Sequence, residues 1–379
     1  MLRSRRFLAL LFALALVAVS CGGDSDDEST SPSGSGSASA SSESGSSSLS
    51  ASASASEPAT EDDSADPAEE TEDTADDAVD EPAEDEPAVA DEPAFPRTVT
   101  DALGEVEVAE APLRVVALDM SLVDVAFVLQ LEVIGHTTFM EPNGPIPELY
   151  GDAIDEFAAD SVWMGDLAAP NLELIAAAQP DMIITSAVRH ENIADQLSQI
   201  ATTVMTESAG AGWKDSLRLI AEATGREDLA EAALADYEGR AAAIGSAINE
   251  AHDNPTLSVV RFVDVIRLYQ PPSFSGTVLT DAGIARPESQ QDPDDFISII
   301  SEEELPLADA DWLVYAIFPN EDVEAAVTER QDSPLWTTLS VVANDRAFAV
   351  ADERWMSGVG LFGANAILDD LEEIFGVSG

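Results

Sequence analysis

The sequence predicts an α/β fold in which two lobes are bridged by one long α-helix. Residues 226–252 place apolar side chains at the spacing of one helical face, and acidic Glu227 and Asp228 occupy the first turn, where the helix dipole favours them. Asn254 and Pro255 follow as a stop signal. At 1.5 Å per residue this helix is about 40 Å long, enough to run along a whole domain. Strand and helix patterns precede and follow it, so we expect one α/β lobe on each side.

Short apolar strand patterns alternate with amphipathic helix patterns in both halves. In the first half the predicted strands are 114–118, 133–137, 182–185 and 203–205, and the predicted helices are 122–130, 171–179, 191–200 and 213–223. In the second half the strands are 257–262, 312–316 and 347–350, and the helices are 278–282, 302–307 and 358–375. This alternation is typical of a mainly parallel sheet covered by helices. The predicted boundaries are 95–225 for the first lobe, 226–252 for the connecting helix and 253–379 for the second lobe.

Residues 1–20 have the pattern of a signal peptide, because Arg3, Arg5 and Arg6 precede an apolar run that ends in small residues. The run has about 13 residues, whereas a membrane-spanning helix needs about 20. Cys21, the only cysteine of the chain, follows at the point where a bacterial lipobox is cleaved. By that resemblance we expect lipid on Cys21 to attach the exported protein to the outer face of the cytoplasmic membrane. The alternative is an ordinary secretory signal that contains a cysteine.

The segment that follows Cys21 is predicted to be a disordered acidic tether, so that 21–94 form one unfolded region. Residues 22–94 contain no Lys, Arg, Ile or aromatic residue, and 23 of them are acidic. Such a segment cannot bury enough apolar surface to offset its ordering entropy. A tether that holds the lobes away from the membrane is the favoured interpretation, and cation binding by the acidic residues is the alternative.

The remaining 285 residues are strongly acidic, with 51 acidic and 13 basic residues and a net charge of −38. This charge excludes nucleic-acid binding through a basic surface. It says little about the fold, but it makes each arginine informative because so few are present. Lys214 is the only lysine.

A short pattern occurs once on each side of the long helix. Glu173 begins a short helix and is followed eight residues later by Asp181 and a strand; Glu303 and Asp311 stand in the same relation in the second half. Two structurally related lobes explain this repetition.

Several segments resemble bacterial substrate-binding lipoproteins of ATP-driven importers for iron–siderophores, haem and cobalamin. The segments are 114–118, 170–175, 180–184, 275–279 with Gly283, 300–305 with 309–311, and Trp355 before the helix that begins at Gly358. The resemblance covers about 105–375, nearly all of the predicted folded part. It implies the class III periplasmic-binding-protein fold, with two Rossmann-like lobes on a helical backbone. It also implies capture of a ferric siderophore or a ferric citrate-like chelate and delivery to the permease dimer of an ABC importer.

Candidate ligand contacts follow from the position of the predicted strands. In open parallel sheets ligands bind beyond the carboxyl ends of the strands. That rule selects eight residues: Met120, Arg189, Trp213, Arg261, Arg267, Tyr269, Arg354 and Trp355. Arginine pairs its planar fork with carboxylate or phenolate oxygens of an anionic chelate, so ferric citrate, catecholates and carboxylates all remain open, and Trp and Tyr supply flat apolar walls. The alternative for each arginine is an ion pair with one of the many carboxylates. The same rule also selects Ser121, Phe139 and His190; for a loop histidine such as His190, solvation is favoured over metal ligation.

The sequence contains no catalytic constellation. It has three histidines, no second cysteine, and neither a Gly-x-Ser-x-Gly nor a His-Glu-x-x-His pattern. We therefore expect no catalysis, no resident metal and no cofactor, with iron present only as part of the bound chelate. The alternatives are haem or cobalamin as the ligand, an exported α/β hydrolase that uses carboxylates, or a purely adhesive surface protein.

The resemblance also implies a docking role for Glu173 and Glu303. In the family, matching glutamates on the two lobes meet arginines of the two permease subunits. The alternative is that both are ordinary exposed helix carboxylates. Glu302 and Glu304 compete with Glu303 for the second position, because the acidic run blurs the alignment.

Overall fold

Two open β-sheets form the centre of the computed structural model, which describes residues 94–138, 144–208, 210 and 212–379. Strands β1 to β13 are, in chain order, Arg97–Asp101, Gly104–Val108, Arg114–Ala117, Glu132–Thr138, Val162–Asp166, Ala169–Pro170, Met182–Ser186, Thr202–Thr206, Leu257–Phe262, Ile266–Tyr269, Ile297–Ile300, Trp312–Ile317 and Ala347–Val350. Helices α1 to α12 are Met120–Val128, Ala153–Phe157, Leu172–Ala178, Ala187–His190, Ala194–Ser198, Trp213–Thr224, Glu227–His252, Phe274–Asp281, Glu321–Gln331, Pro334–Thr337, Ser340–Ala343 and Leu361–Phe375. Short 3-10 turns occur at Glu148–Tyr150, Glu191–Ile193, Glu288–Gln290 and Glu302–Ala308, and a π turn at Glu353–Ser357.

The two sheets differ in strand direction. The first has the order β6-β5-β4-β3-β7-β8, and only the two-residue strand β6 runs antiparallel. The second has the order β11-β10-β9-β12-β13, in which β11, β9, β12 and β13 run in the same direction and β10 runs antiparallel to its neighbours β9 and β11. The sequence did not indicate β10 and β11, because each has four residues and β10 carries Arg267 among its apolar residues. The mainly parallel arrangement therefore holds for the first lobe, and the second lobe is mixed.

Helix α7 joins the lobes, as predicted, and begins at Glu227, one residue after the predicted start. Its buried residues are Ala230, Leu234, Tyr237, Ala241, Ile244, Gly245 and Ile248. They belong to one apolar cluster that contains Val115 and Val204 of the first lobe and Val259 and Val314 of the second. Burial of this shared face keeps the two lobes in a fixed relation.

Gly245 allows the closest approach to α7. A Cβ at this position would lie 1.5 Å from the carbonyl oxygen of Ala282, just beyond α8. Across the described part of the chain, no helix is both long and apolar enough to span a membrane.

Two predicted helices differ from the structure for local reasons. The helix expected at 191–200 is divided into α4, a 3-10 turn and α5. The helix expected at 302–307 is a 3-10 helix that contains Pro306, which lacks the N–H that an α-helix interior needs. Helices α9, α10 and α11 were not predicted.

The repeated pattern forms the same structure in both lobes. Asn171 and Ser301 occupy the position before the helical turns that carry Glu173 and Glu303. Asp181 Oδ2 accepts backbone N–H groups of Leu113 and Arg114 at the start of β3, at 3.1 and 2.9 Å. Asp311 Oδ2 likewise accepts the N–H of Thr256, next to β9, at 2.9 Å, together with the Thr256 hydroxyl. In each lobe the aspartate thus ties the start of its own strand to that of the neighbouring parallel strand.

Some predictions lie outside the described residues. They are the signal peptide 1–20, the lipid site Cys21, the tether to residue 93, and Phe139.

Candidate ligand-binding site

The first-lobe part of the site lies where neighbouring strands β3 and β7 end. Asp119 follows β3 and caps α1, accepting the backbone N–H of Ser121 at 3.0 Å. Arg189 follows β7 and donates from Nε to Asp119 Oδ2 at 3.3 Å. The Arg189 side chain is 40% exposed and the Asp119 side chain 10%, so the guanidinium keeps an open edge while its position is held. Met120 is the first residue of α1 and is partly exposed beside this pair.

The second-lobe part of the site is an arginine that reaches across its sheet. Arg261 on β9 donates from Nε and Nη2 to both carboxylate oxygens of Asp352, at 2.6 and 2.7 Å. Asp352 follows β13, and β12 lies between the two strands. The crossing is possible because Ala316, a small and fully buried residue, is in register with Arg261 on β12. The Arg261 guanidinium also lies 5.4 Å from the ring centroid of Phe318, a cation–π distance.

A second arginine lies directly opposite Arg261. Arg267 on β10 is its cross-strand partner, so the two side chains leave the same face of the sheet. Within the described residues Arg267 makes no ion pair, and its buried Nε has no hydrogen-bond partner. The Tyr269 hydroxyl accepts from Arg261 Nη1 at 3.3 Å. Arg261 is therefore neutralised by Asp352, whereas Arg267 beside it has no carboxylate partner among the described residues and leaves a positive charge in excess.

The predicted aromatic walls are buried. Trp355 is fully buried, and its Nε1 donates to Asp370 at 2.8 Å. Trp213 is 3% exposed and donates to Thr277 Oγ1 at 3.3 Å, and Tyr269 is 5% exposed. The three rings are packed in the apolar core, so none of them presents a flat surface to a ligand in this structure.

Arg354 does not join the other arginines. Its guanidinium pairs with Asp370 and lies 3.9 Å from Asp369, both on α12. It borders a groove of about 290 Å³ with Leu149, Leu361, Phe362, Asn365, Ala366 and Asp369. A larger cavity of about 500 Å³ lies between β1, the end of β8 and α6, and contains none of the predicted contacts. The strand-end arginines rather than the cavities define the candidate site, because Arg267 carries a charge with no carboxylate partner among the described residues and lies directly opposite Arg261.

His190 is part of the first lobe's interior. It is 1% exposed, and Nε2 lies 2.7 Å from the carbonyl oxygen of Leu167, which can only accept, so Nε2 carries the proton. Nδ1 then accepts from the Thr185 hydroxyl at 2.6 Å. Burial lowers the pKa of His190, so the ring is neutral near pH 7. Both nitrogens are occupied, and the described chain contains no group of three His, Cys, Asp or Glu side chains placed to hold a metal ion.

The two candidate docking glutamates are exposed and occupy equivalent positions. Glu173 is the second residue of α3, and Glu303 is the second residue of the 3-10 helix Glu302–Ala308. Neighbouring Glu302 is paired with Arg330, and Glu304 accepts the backbone N–H of Ser301 at 2.9 Å. As far as the structure describes the chain, Glu173 and Glu303 make no ion pair, so their carboxylates are available to a partner.

Sequence reasoning did not select the carboxylates that hold the arginines. Asp119 and Asp352 are each the second residue after a strand, so the strand-end rule could have found them. They were hidden by the abundance of acidic residues, since nothing in the local pattern distinguishes a paired carboxylate from a solvated one. The contact of Phe318 with Arg261 had no sequence signal.

Comparisons with known proteins agree with this architecture. The family model described as periplasmic binding protein matches residues 115–353. The probable siderophore-binding lipoprotein YfiY of Bacillus subtilis (strain 168) is 33% identical over 294 residues, which are 74% of this chain and 87% of that protein. The Fe(3+)-citrate-binding protein YfmC of the same strain is 29% identical over 263 residues, 68% of this chain and 79% of that protein.

A solved structure extends the comparison to the fold. Staphylococcus aureus SirA complexed with staphyloferrin B has a TM-score of 0.66 and 29% identity, and the match covers 74% of this chain and 99% of that one. The matched family model spans the connecting helix and most of both lobes, and the chain therefore belongs to the periplasmic binding protein family.

Proposed function

We propose that this protein is an extracytoplasmic binding protein that captures an anionic ferric chelate in the cleft between its lobes and delivers it to an ABC permease. The observation that carries the proposal is the cross-strand pair Arg261 and Arg267, of which Arg261 pairs with Asp352 and Arg267 has no carboxylate partner among the described residues. With the Arg189–Asp119 pair, the site has three guanidinium groups and two carboxylates. In a folded region of net charge −38, such an excess of positive charge favours an anionic ligand.

The printed names of the relatives agree with this ligand class. One relative is a probable siderophore-binding lipoprotein, another is an Fe(3+)-citrate-binding protein, and SirA was solved with staphyloferrin B. Iron enters as part of the chelate in this proposal, and the protein supplies no metal ligand of its own.

Burial of the aromatic residues helps to choose among ligands. Haem and cobalamin are large flat macrocycles that need broad apolar walls, and catecholate rings stack on exposed aromatic faces. Trp213, Tyr269 and Trp355 present no such faces in this structure. The Arg189 guanidinium, whose side chain is 40% exposed, instead suits chelates with carboxylate arms, because an arginine fork binds a carboxylate in bidentate geometry.

Calorimetric titration tests the proposal. Purified protein is titrated with ferric citrate, a ferric hydroxamate, a ferric catecholate, haem and cobalamin, and the ligand is recovered and identified by mass spectrometry. We expect saturable binding of an anionic ferric chelate and recovery of unchanged ligand. Failure to bind any ferric chelate would overturn the proposal, and recovery of cleaved ligand would favour the exported hydrolase.

We further propose that Glu173 and Glu303 dock the protein onto the permease. The supporting observations are their equivalent positions, their exposure and the occupied state of Glu302 and Glu304. Charges at the rim of an interface mainly set encounter rate and register. The change Glu173→Gln with Glu303→Gln is expected to leave chelate affinity intact and to abolish uptake.

The neighbouring glutamates provide the matched control for docking. Glu302→Gln with Glu304→Gln removes the same number of charges, both from the helix that carries Glu303, and is expected to retain uptake. If the variant with Glu173→Gln and Glu303→Gln retains uptake and the variant with Glu173→Gln and Glu302→Gln loses it, the docking residue of the second lobe is Glu302. Full uptake by a variant that lacks all four charges would rule out the docking role.

We also propose that lipid on Cys21 anchors the protein to the outer face of the cytoplasmic membrane. The support is the sequence pattern before Cys21 and the lipoprotein name of the relative YfiY. Cys21→Ala is expected to release the exported chain in soluble form. Continued sedimentation of that variant with membranes would contradict the anchor.

A further inference from the structure

A buried carboxylate joins the two lobes away from the ligand arginines. Asp124 lies on α1 of the first lobe and is 1% exposed. Its Oδ1 accepts the backbone N–H of Leu361 at 2.7 Å and its Oδ2 that of Phe362 at 3.0 Å. Both donors belong to the first turn of α12, which is part of the second lobe. A carboxylate at a helix N-terminus satisfies N–H groups that have no partner within the helix.

The surroundings of Asp124 fit it closely. Gly360 has a φ of +145°, and a Cβ at this residue would lie 2.2 Å from Asp124 Cγ, so no side chain is tolerated there. The ring of Phe362 packs edge-on against Tyr150 at 5.5 Å and against Phe127 at 6.4 Å. These rings exclude water from the carboxylate, so its hydrogen bonds to α12 are not easily replaced.

A short and tightly packed segment links this contact to the ligand site. Asp352, which holds Arg261, begins the segment, and Gly360 ends it. A Cβ on Gly358 would lie 2.4 Å from the carbonyl oxygen of Glu353, and a Cβ on Gly363 would lie 1.7 Å from the carbonyl oxygen of Gly358. Backbone thus packs directly on backbone between the two ends, which leaves no room for the segment to change its internal conformation.

The energetics of Asp124 argue against a purely stabilising role. Burial raises the pKa of Asp124 to about 7, although backbone hydrogen bonds from Leu361, Phe362 and Gly363 act to lower it. Keeping the charged form inside the protein therefore costs stability near neutral pH. Buried charged groups that cost stability serve in some proteins to select one geometry among several.

We infer that Asp124 is a positioning residue that fixes the angle between the lobes and thereby the spacing of Arg189 from Arg261. The lobe angle follows from the contact itself. The consequence for affinity rests on the proposed function, because it requires that both arginines contact one ligand. The same angle sets the separation of Glu173 from Glu303.

Pulsed electron paramagnetic resonance tests the inference. Spin labels are placed at Gln196→Cys in the first lobe and Ala325→Cys in the second, both exposed, in the exported chain with Cys21→Ala so that no other cysteine remains. Distances are measured at pH 8, where the Asp124 carboxylate is ionised. We expect one narrow distance distribution for the parent chain, and a broader distribution with a shifted mean for Asp124→Asn and Asp124→Ala.

Asp181→Asn is the matched control. Asp181 also accepts two consecutive backbone N–H groups, but both lie within the first lobe. Its removal is therefore expected to leave the distance distribution unchanged. A parental distribution in a folded Asp124→Asn variant would overturn the inference, as would equal broadening by Asp181→Asn. If Asp124→Ala does not fold, Asp124→Asn, which keeps the volume and one acceptor oxygen, decides alone.

Ligand affinity separates this inference from the proposed function. Misalignment that costs one hydrogen bond to a charged group is expected to lower chelate affinity on the order of tenfold. If the lobe angle changes and the affinity falls by this amount, the inference about Asp124 and the proposed function both stand. If the angle changes and affinity does not, Asp124 positions the lobes but the two arginines do not share a ligand. If the parent chain binds no chelate, the proposed function fails, and the distance measurement still decides the role of Asp124.

Discussion

Neutralising Arg261 and Asp352 in separate variants distinguishes a ligand contact from a structural ion pair. The two side chains are 12% and 6% exposed, and they form two hydrogen bonds of 2.6 and 2.7 Å. Removing one partner of a buried pair typically costs about 3–5 kcal/mol of stability, because the other charge is left unpaired. Arg261→Gln and Asp352→Asn are therefore both expected to lower the free energy of unfolding of the ligand-free protein.

The two changes are expected to act on chelate affinity in opposite directions. Loss of a hydrogen bond to a charged group costs about 1.5–3 kcal/mol, so Arg261→Gln should weaken binding roughly 10- to 150-fold. Arg261 Nη1 donates one N–H to the Tyr269 hydroxyl and has a second N–H for an anion. An anion there lies roughly 6 Å from Asp352 across the guanidinium, and at an effective dielectric constant of about 20 their repulsion is about 3 kcal/mol. Asp352→Asn removes that repulsion and should strengthen chelate binding. The gain in affinity is smaller than the repulsion removed, because Arg261 also loses the carboxylate that orients it.

Arg330 is the matched control for this experiment. Its side chain is 13% exposed, it pairs with Glu302, and its guanidinium lies 5.0 Å from the ring centroid of Phe262, so its environment resembles that of Arg261. Calorimetric titration of Arg330→Gln should return the parental affinity, and urea unfolding should show a loss of stability. A parallel loss of affinity in Arg261→Gln and Asp352→Asn would refute the reasoning, since it would mean that the pair only maintains the fold. Unchanged affinity in Arg261→Gln would place the ligand elsewhere.

Three further outcomes follow from single contacts. Arg267→Gln should weaken chelate binding and leave the free energy of unfolding unchanged or higher, because it removes a like charge opposite Arg261. A loss of stability in urea unfolding would show that Arg267 has a structural partner. Gly245→Ala should lower the free energy of unfolding by about 1–3 kcal/mol or more, because the new Cβ meets the Ala282 carbonyl. Gly239→Ala on the same helix has open space around it and should raise the free energy of unfolding by about 0.5–1 kcal/mol. Equal effects of the two changes would contradict the packing of α7. Folding raises the pKa of Asp124 from 3.8 to about 7, so the contribution of this carboxyl to stability is present below about pH 4 and is lost as the pH rises to 7. Urea unfolding of the parent chain and of Asp124→Asn at several pH values from 4 to 8 should therefore show that the variant becomes more stable relative to the parent as the pH rises. A relative stability that changes in the opposite direction would refute the assignment.

The fold was largely predictable because its signals are local and repeated. The apolar face of α7 extends over 26 residues, and strand and helix alternate on both sides of it. Strand β10 was missed because four residues give too short a pattern to recognise, and Arg267 interrupts its apolar character. Pro306 similarly changed the type of a correctly located helix.

The site was predictable only to the level of strand ends. The rule that ligands bind at the carboxyl ends of strands selected Arg189 and Arg261, and the structure places each against a carboxylate at such an end. It also selected Trp355, whose position after β13 is as expected but whose ring turns into the core to meet Asp370. Side-chain direction within a loop depends on packing against distant elements, and a local pattern holds no information about it.

The topology places the proposed ligand contacts Arg189 and Arg261 and the proposed docking residues Glu173 and Glu303 at the same end of each sheet. Phe262, the last residue of β9, pairs with Ile266 on β10, which pairs with Ile300 at the end of β11. The helix of Glu303 begins immediately after Ile300, so Glu303 lies at the end of the second sheet where β9 carries Arg261. In the first lobe, β6 turns back beside the end of β5, and α3 with Glu173 follows. A permease that contacts both glutamates would therefore face the carboxyl ends of both sheets, which is the end from which a chelate held by Arg189 and Arg261 has to leave.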